Sequence, residues 1–179
     1  MEAIINYLKE ELKHSQNSKL YAIVDTAIHK GFAKTIQLQD DEKQSILLKG
    51  TWAIKLEEVA PYLIELDLEE KFSQELLQSS FGKKWLTLLV SAKELKPLVD
   101  ELEQLIVVYS DLHEKRIVYR FYDERNLLNY LKIHNREEIV ELFDDIAGYF
   151  ITLDNKESNT LYTYSYNDFK EKIVLEIIA

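Results

Sequence analysis

Two short apolar runs constrain this chain more than anything else in it. Leu20–Val24 reads LYAIV and Trp85–Val90 reads WLTLLV, with almost no polar interruption. A strand with one wet face alternates apolar and polar residues, whereas an unbroken run needs cover on both faces. Both runs are therefore expected as buried strands, the first of them central. Around them lie amphipathic patterns of helical period, so the sheet they belong to must be layered with helices.

Between Ile106 and Leu131 the chain reads IVVYSDLHEKRIVYRFYDERNLLNYL. Two β-rich runs, Ile106–Ser110 and Arg116–Tyr122, flank a polar link and predict a hairpin. Asp123 then offers a helix N-cap, and Leu127, Leu128 and Leu131 follow at helical spacing. This strand–strand–helix unit is expected at the middle of the fold.

The remaining elements follow from period and punctuation. Ile4, Ile5, Leu8 and Leu12 form one face of a first helix, and a weaker helical pattern runs through Phe32 and Ile36. Ser45–Lys49 and Thr51–Lys55, parted by Gly50, supply one or two short strands. Tyr62–Leu66 is a strand candidate, and Asp67 with Glu70 opens a helix carrying Phe72, Leu76 and Leu77. Ser91 with Glu94 makes a capping box ahead of Leu95, Leu98, Val99, Leu102 and Leu105, with Pro97 kinking that helix or marking its first turn. A further helix is expected from Asn135 through Ile146, stopping at Gly148. Tyr149–Leu153 and Thr160–Tyr166 then pair as strands, and a last helix covers Asp168–Ile178. The expected class is α+β: a mixed sheet covered by helices, a hairpin in mid-chain, and a C-terminal strand pair plus helix. Residues 1–153 make one domain, with core blocks over 20–131, and 154–179 pack on it as a short extension.

The formal net charge is −10, from 22 basic and 32 acidic side chains. That disfavours nucleic acid or an anionic membrane as the main partner. There is no cysteine, hence no disulfide, thiolate zinc site or thiol nucleophile. The N-terminal MEAIINYLKEELKH lacks the uninterrupted hydrophobic stretch of a signal peptide, and no run is long enough to span a bilayer. A cytoplasmic protein is expected.

The familiar catalytic and phosphate-binding motifs, GxGxxG, GxxxxGK, GxSxG and HExxH, are absent, and only four glycines are present. His14, His29, His113 and His134 share no metal-ligand spacing. No cofactor and no metal are expected. Asp25, Asp67 and Asp123 each sit just past a predicted strand, where acids that hold Mg²⁺ gather. Each also precedes a predicted helix, where an Asp caps free N–H groups, and capping does not require the three to converge. Arg120, Phe121, Tyr122, Asp123 and Arg125 form the densest polar-aromatic cluster, in which Arg120 pairs with Asp123 or with a neighbour such as Asp25. Arg120 is expected to be largely buried. Tyr162, Tyr164 and Tyr166 alternate along one strand and are candidates for contact with a partner.

Four blocks carry a family resemblance: YAIVDTA (Tyr21–Ala27), APYLIELD (Ala60–Asp67), FGKKWLTLLVSAKELKPLVDEL (Phe81–Leu102) and RIVYRFYDERNLLNYL (Arg116–Leu131). In this order they resemble the adaptor domain of type VI secretion, the Tap or TEC effector chaperones. The matching positions are Asp25, Pro61, Tyr62, Asp67, Gly82, Trp85, Arg120, Phe121, Tyr122, Asp123 and Arg125. Glu124 stands where the family often has Pro, and the C-terminal part is shorter than in many members. The resemblance implies a non-enzymatic protein that binds an effector protein and delivers it to its cognate VgrG spike protein. Two other classes stay open: an acidic immunity protein that neutralises a toxin, and a metal-dependent hydrolase using Asp25, Asp67 and Asp123.

Overall fold

The computed structural model describes the backbone of residues 2–15, 17–29, 31–80, 82–133, 142–143, 146–152, 161–167 and 172–178. In chain order the elements are α1 (Glu2–His14), β1 (Lys19–Asp25), α2 (Phe32–Gln37), β2 (Gln44–Ile46), α3 (Gly50–Leu56), β3 (Pro61–Leu66), α4 (Lys71–Ser80) and β4 (Leu86–Ser91). They continue as α5 (Leu95–Ile106), β5 (Val107–Ser110), β6 (Lys115–Val118), α6 (Glu124–Ile133), β7 (Ile146–Thr152), β8 (Leu161–Asn167) and β9 (Lys172–Ile178).

Seven strands form one sheet in the order β2-β3-β1-β4-β7-β8-β9. The α+β class is as expected. Every ladder among the described strands is antiparallel, however, so the sheet is not mixed in direction. The two apolar runs explain its centre. β1 lies between β3 and β4, and β4 lies between β1 and β7. From Leu20 to Asp25 and from Leu86 to Ser91 every residue is buried.

Pairing fixes the two faces, because residues opposite each other in a ladder point the same way. Ala22, Ile64, Leu88 and Phe150 share one face. There α1 buries Ile4 and Leu8, and Tyr7 meets Phe150 edge-on at 6.3 Å. Tyr21, Leu89 and Tyr149 share the other. On it the Tyr21 hydroxyl donates to the Lys93 carbonyl, just before α5, at 2.7 Å. α5 turns Leu95, Leu98, Val99, Leu102 and Ile106 into the core. Pro97 falls in its first turn, where the missing N–H costs no helical bond.

Several expectations are corrected. The hairpin does form, as β5 and β6 across Asp111–His113, but it is a separate two-stranded sheet and half exposed. It is an appendage rather than the middle of the fold. Its second strand stops at Val118, because Tyr119–Asp123 turn inward to make a corner. Of the two segments around Gly50, the first overlaps β2 at Ser45 and Ile46 and the second lies within α3. The final helix expected over Asp168–Ile178 is instead β9. Ile173, Val174, Ile177 and Ile178 satisfy a helical spacing, yet all are β-branched and favour a strand when one is open to pair with. The C-terminal part is thus three strands, not a strand pair plus helix. Residues 135–141 and 144–145 of the helix expected from Asn135 lie outside the described residues, while Ile146 begins β7 and Gly148 lies within it.

Candidate functional site

The end of the sheet where β1 finishes and β3 and β4 begin gathers most of the singled-out residues. Asp25 pairs in register with Pro61, and its amide donates to the Trp85 carbonyl at 2.8 Å. A proline is tolerated there, at the first residue of a strand, where a missing ladder donor costs least. Gly82 lies in the turn before β4 at φ +70°, a left-handed conformation that suits glycine. Trp85 packs against Phe32 and His29 with ring centroids 5.3 and 5.2 Å away. Tyr62, on β3, accepts from Gln37 at 2.9 Å and donates to the Glu57 carbonyl at 3.2 Å, fastening α2 to the end of α3.

The corner between β6 and α6 closes over this end. Phe121, Tyr122 and Asp123 are buried. Phe121 lies edge-on to Tyr149, and the Thr87 hydroxyl donates to the Tyr122 carbonyl at 2.6 Å. Asn126 reaches back to the Arg120 carbonyl at 2.9 Å. Arg120 donates through Nη2 to the Asp25 carboxylate, and Asp123 lies 3.6 Å from the same nitrogen. Asp123 also holds Arg125 in a fork, with Nε at 3.0 Å and Nη2 at 2.8 Å, and accepts the Arg125 amide at 3.0 Å. As expected, it is the N-cap of α6.

Two carboxylates and two guanidiniums thus form a chain, Asp25–Arg120–Asp123–Arg125, that pins the start of α6 to the end of β1. The two acids differ. Burial pushes the Asp25 carboxyl up from its ordinary value, and Arg120 and the Ala27 amide recover only part of that rise. The Arg125 hydrogen bond holds Asp123 below its ordinary value despite burial. Burial first, then Asp25, pushes the Tyr122 hydroxyl up, so it stays protonated at neutral pH. Arg120 itself corrects one expectation. It is paired with carboxylates, but about a third of its side chain (34%) reaches solvent.

Asp67 stands elsewhere. It follows Leu66, which pairs with Leu20 at the start of β1, so it lies roughly 20 Å along the strand from Asp25. Its carboxylate accepts the Glu69 amide at 2.8 Å. Asp25 does the same for Ala27 at 3.1 Å; both bonds lie in turns and not at the helix starts expected for these acids, since α2 begins at Phe32 and α4 at Lys71. The three acids therefore do not converge, and a guanidinium already occupies the space between Asp25 and Asp123. Among the described residues no group of three or more His, Asp or Glu could hold a metal.

The tyrosine row is also placed differently. β8 lies between β7 and β9, with Tyr162 opposite Ile151 and Ile177 and Tyr164 opposite Tyr149 and Leu175, so its backbone is not a free edge. Tyr166 pairs with Ile173. The segment expected to seal this part of the sheet as a helix is instead β9, which borders it.

What the geometry defines is an α+β domain on an antiparallel sheet, its polar residues invested in a corner that locks one helix to the sheet end. The family model described as a domain of unknown function, DUF4123, matches residues 20–141, or 122 of the 179 residues, and the chain belongs to that family. No curated protein and no solved structure matches it.

Proposed function

We propose that this chain is an adaptor of type VI secretion, which binds an effector protein and helps load it on the cognate VgrG spike, without catalysing a reaction. The observation that carries the reading is that the family match over 20–141 contains all four blocks by which the sequence resembles such adaptors. The corner supports it. Its arginines and carboxylates neutralise one another and fix an element, a use that leaves neither a free base nor an electrophile. Tyr162, Tyr164 and Tyr166 remain a proposed contact row. A triple serine variant that folds and keeps both partners removes them from the interface.

The direct test is to purify the tagged chain from cells that express it at its own level and to identify what accompanies it. Effector and spike together support the adaptor. A toxin domain alone supports the immunity reading, which the net charge of −10 favours. A one-site Mg²⁺ isotherm abolished by Asp25→Asn would overturn the non-enzymatic assignment.

A further inference from the structure

Among the described residues the outer edge of β2 is unpaired. Of the described strands it pairs with β3 alone, and it is the end strand of the sheet. Leu47 donates to the Pro61 carbonyl and the Lys43 carbonyl accepts from Glu65, both at 2.8 Å. In an antiparallel ladder alternate residues bond to the same neighbour. Lys43, Ser45 and Leu47 therefore face β3, while the N–H and C=O groups of Gln44 and Ile46 face away from it. Native sheets usually blunt such an edge with proline, a bulge or inward-pointing charge. Gln44–Ile46 contains none of these, although at three residues it is short, which itself limits how much strand can be added.

A groove flanks this strand on each side. On the face shared by Ile46 and Tyr62, a groove of about 510 Å³ runs to Ile54 of α3, with Glu57 at its wall. Ile54 is 80% exposed, a large apolar side chain that the domain itself leaves in water. On the Ser45 face, a groove of about 540 Å³ is lined by Leu95, Pro97, Glu42 and Glu94. Asp41 lines both. Of the charged side chains along the two grooves, Asp41, Glu42, Glu57 and Glu94 are acidic and Lys96 alone is basic.

We infer that β2 binds an extended polypeptide segment of a partner by strand addition, and that this segment carries apolar and basic side chains. An added strand sends alternate side chains to opposite faces, so one set enters the groove at Ile54 and the other enters that at Leu95. The main chain bonds to Gln44 and Ile46, and lysine or arginine in the segment meets the acids. A long acidic strand is repelled. This site stands on the sheet edge and its grooves, so it does not depend on which proteins the adaptor serves.

The test uses a fluorescein-labelled nine-residue peptide alternating valine and lysine, and a matched one with glutamate for lysine, followed by anisotropy and by amide exchange. The expected result is that the basic peptide binds at least about tenfold more tightly than the acidic one and weakens with salt. It should also slow exchange at Gln44 and Ile46. Ile54→Lys alters only an exposed side chain and should weaken binding about tenfold without moving the melting temperature. Ile46→Pro removes an outward N–H and should abolish binding, its fold checked by circular dichroism. Equal binding by wild type and Ile54→Lys, protection at β9 in place of β2, or no binding overturns the proposal. So does a dimer of this chain that Ile46→Pro dissolves, since the edge would then belong to a second copy.

Discussion

At the scale of single residues, Arg120 decides how the corner is held. Asp25 is 4% exposed at its side chain and has Arg120 as its cationic partner. Removing the guanidinium leaves a buried carboxylate to be protonated or hydrated. Breaking a fully buried pair costs about 3–5 kcal/mol. Because a third of Arg120 reaches water, Arg120→Ala should fall near the lower end, about 3 kcal/mol, measured by urea denaturation. The acid limb of stability belongs to Asp123. Its carboxyl is held below its ordinary value, so its contribution is present above the unfolded pKa of about 3.9 and is lost as pH falls through the folded value. Asp123→Asn should therefore be less stable than wild type at pH 7, and the gap between the two should close as pH drops below about 4. Asp25 acts in the opposite sense. Its raised value favours the protonated fold, so its contribution is present at low pH and is lost as pH rises through that value. Titrating stability against pH for both Asn variants separates the two signs.

Among the elements, legibility followed the physics of each segment. β1 and β4 were plain in the sequence because a strand covered on both faces leaves a run without polar gaps. The pairing of Arg120 with Asp25 could be named but not its exposure, which depends on how far the corner after Val118 folds back. The end of the chain was misread for a definite reason. Over a few residues, Phe169, Ile173, Val174 and Ile177 fit a period of 3.6, and nothing local tells that a neighbouring strand has an open ladder. The β2 edge and its grooves gave no local signal, being assembled from α2, α3 and α5. β9 aligns with β8 over seven residue pairs, Leu161↔Ile178 to Asn167↔Lys172. Deleting 168–179 removes that ladder and bares β8. The truncated chain should lose roughly 4–7 kcal/mol, at about 0.5–1 kcal/mol per net hydrogen bond and about one bond per pair, and should self-associate. Thermal melts and light scattering check both. A helix lying on the core would instead leave the sheet edge unchanged.

For the whole molecule, the place of β4 sets an order of events. Leu88 pairs with Ala22 on one side and with Phe150 on the other, so the central strand joins the two ends of the chain. The block β2-β3-β1-β4 is complete once Ser91 has been made. The other side of β4 must wait until Ile146 and the residues after it arrive. At ~5–20 residues per second, synthesis leaves a largely apolar strand with one unpaired edge for roughly 3–10 seconds. In stalled nascent chains that end before Ile146, amides of β1, β3 and β4 should already be protected; their lack of protection would refute that order. During translation the same interval is a window in which a holdase, or a second nascent copy, competes for the edge that β7 will later claim.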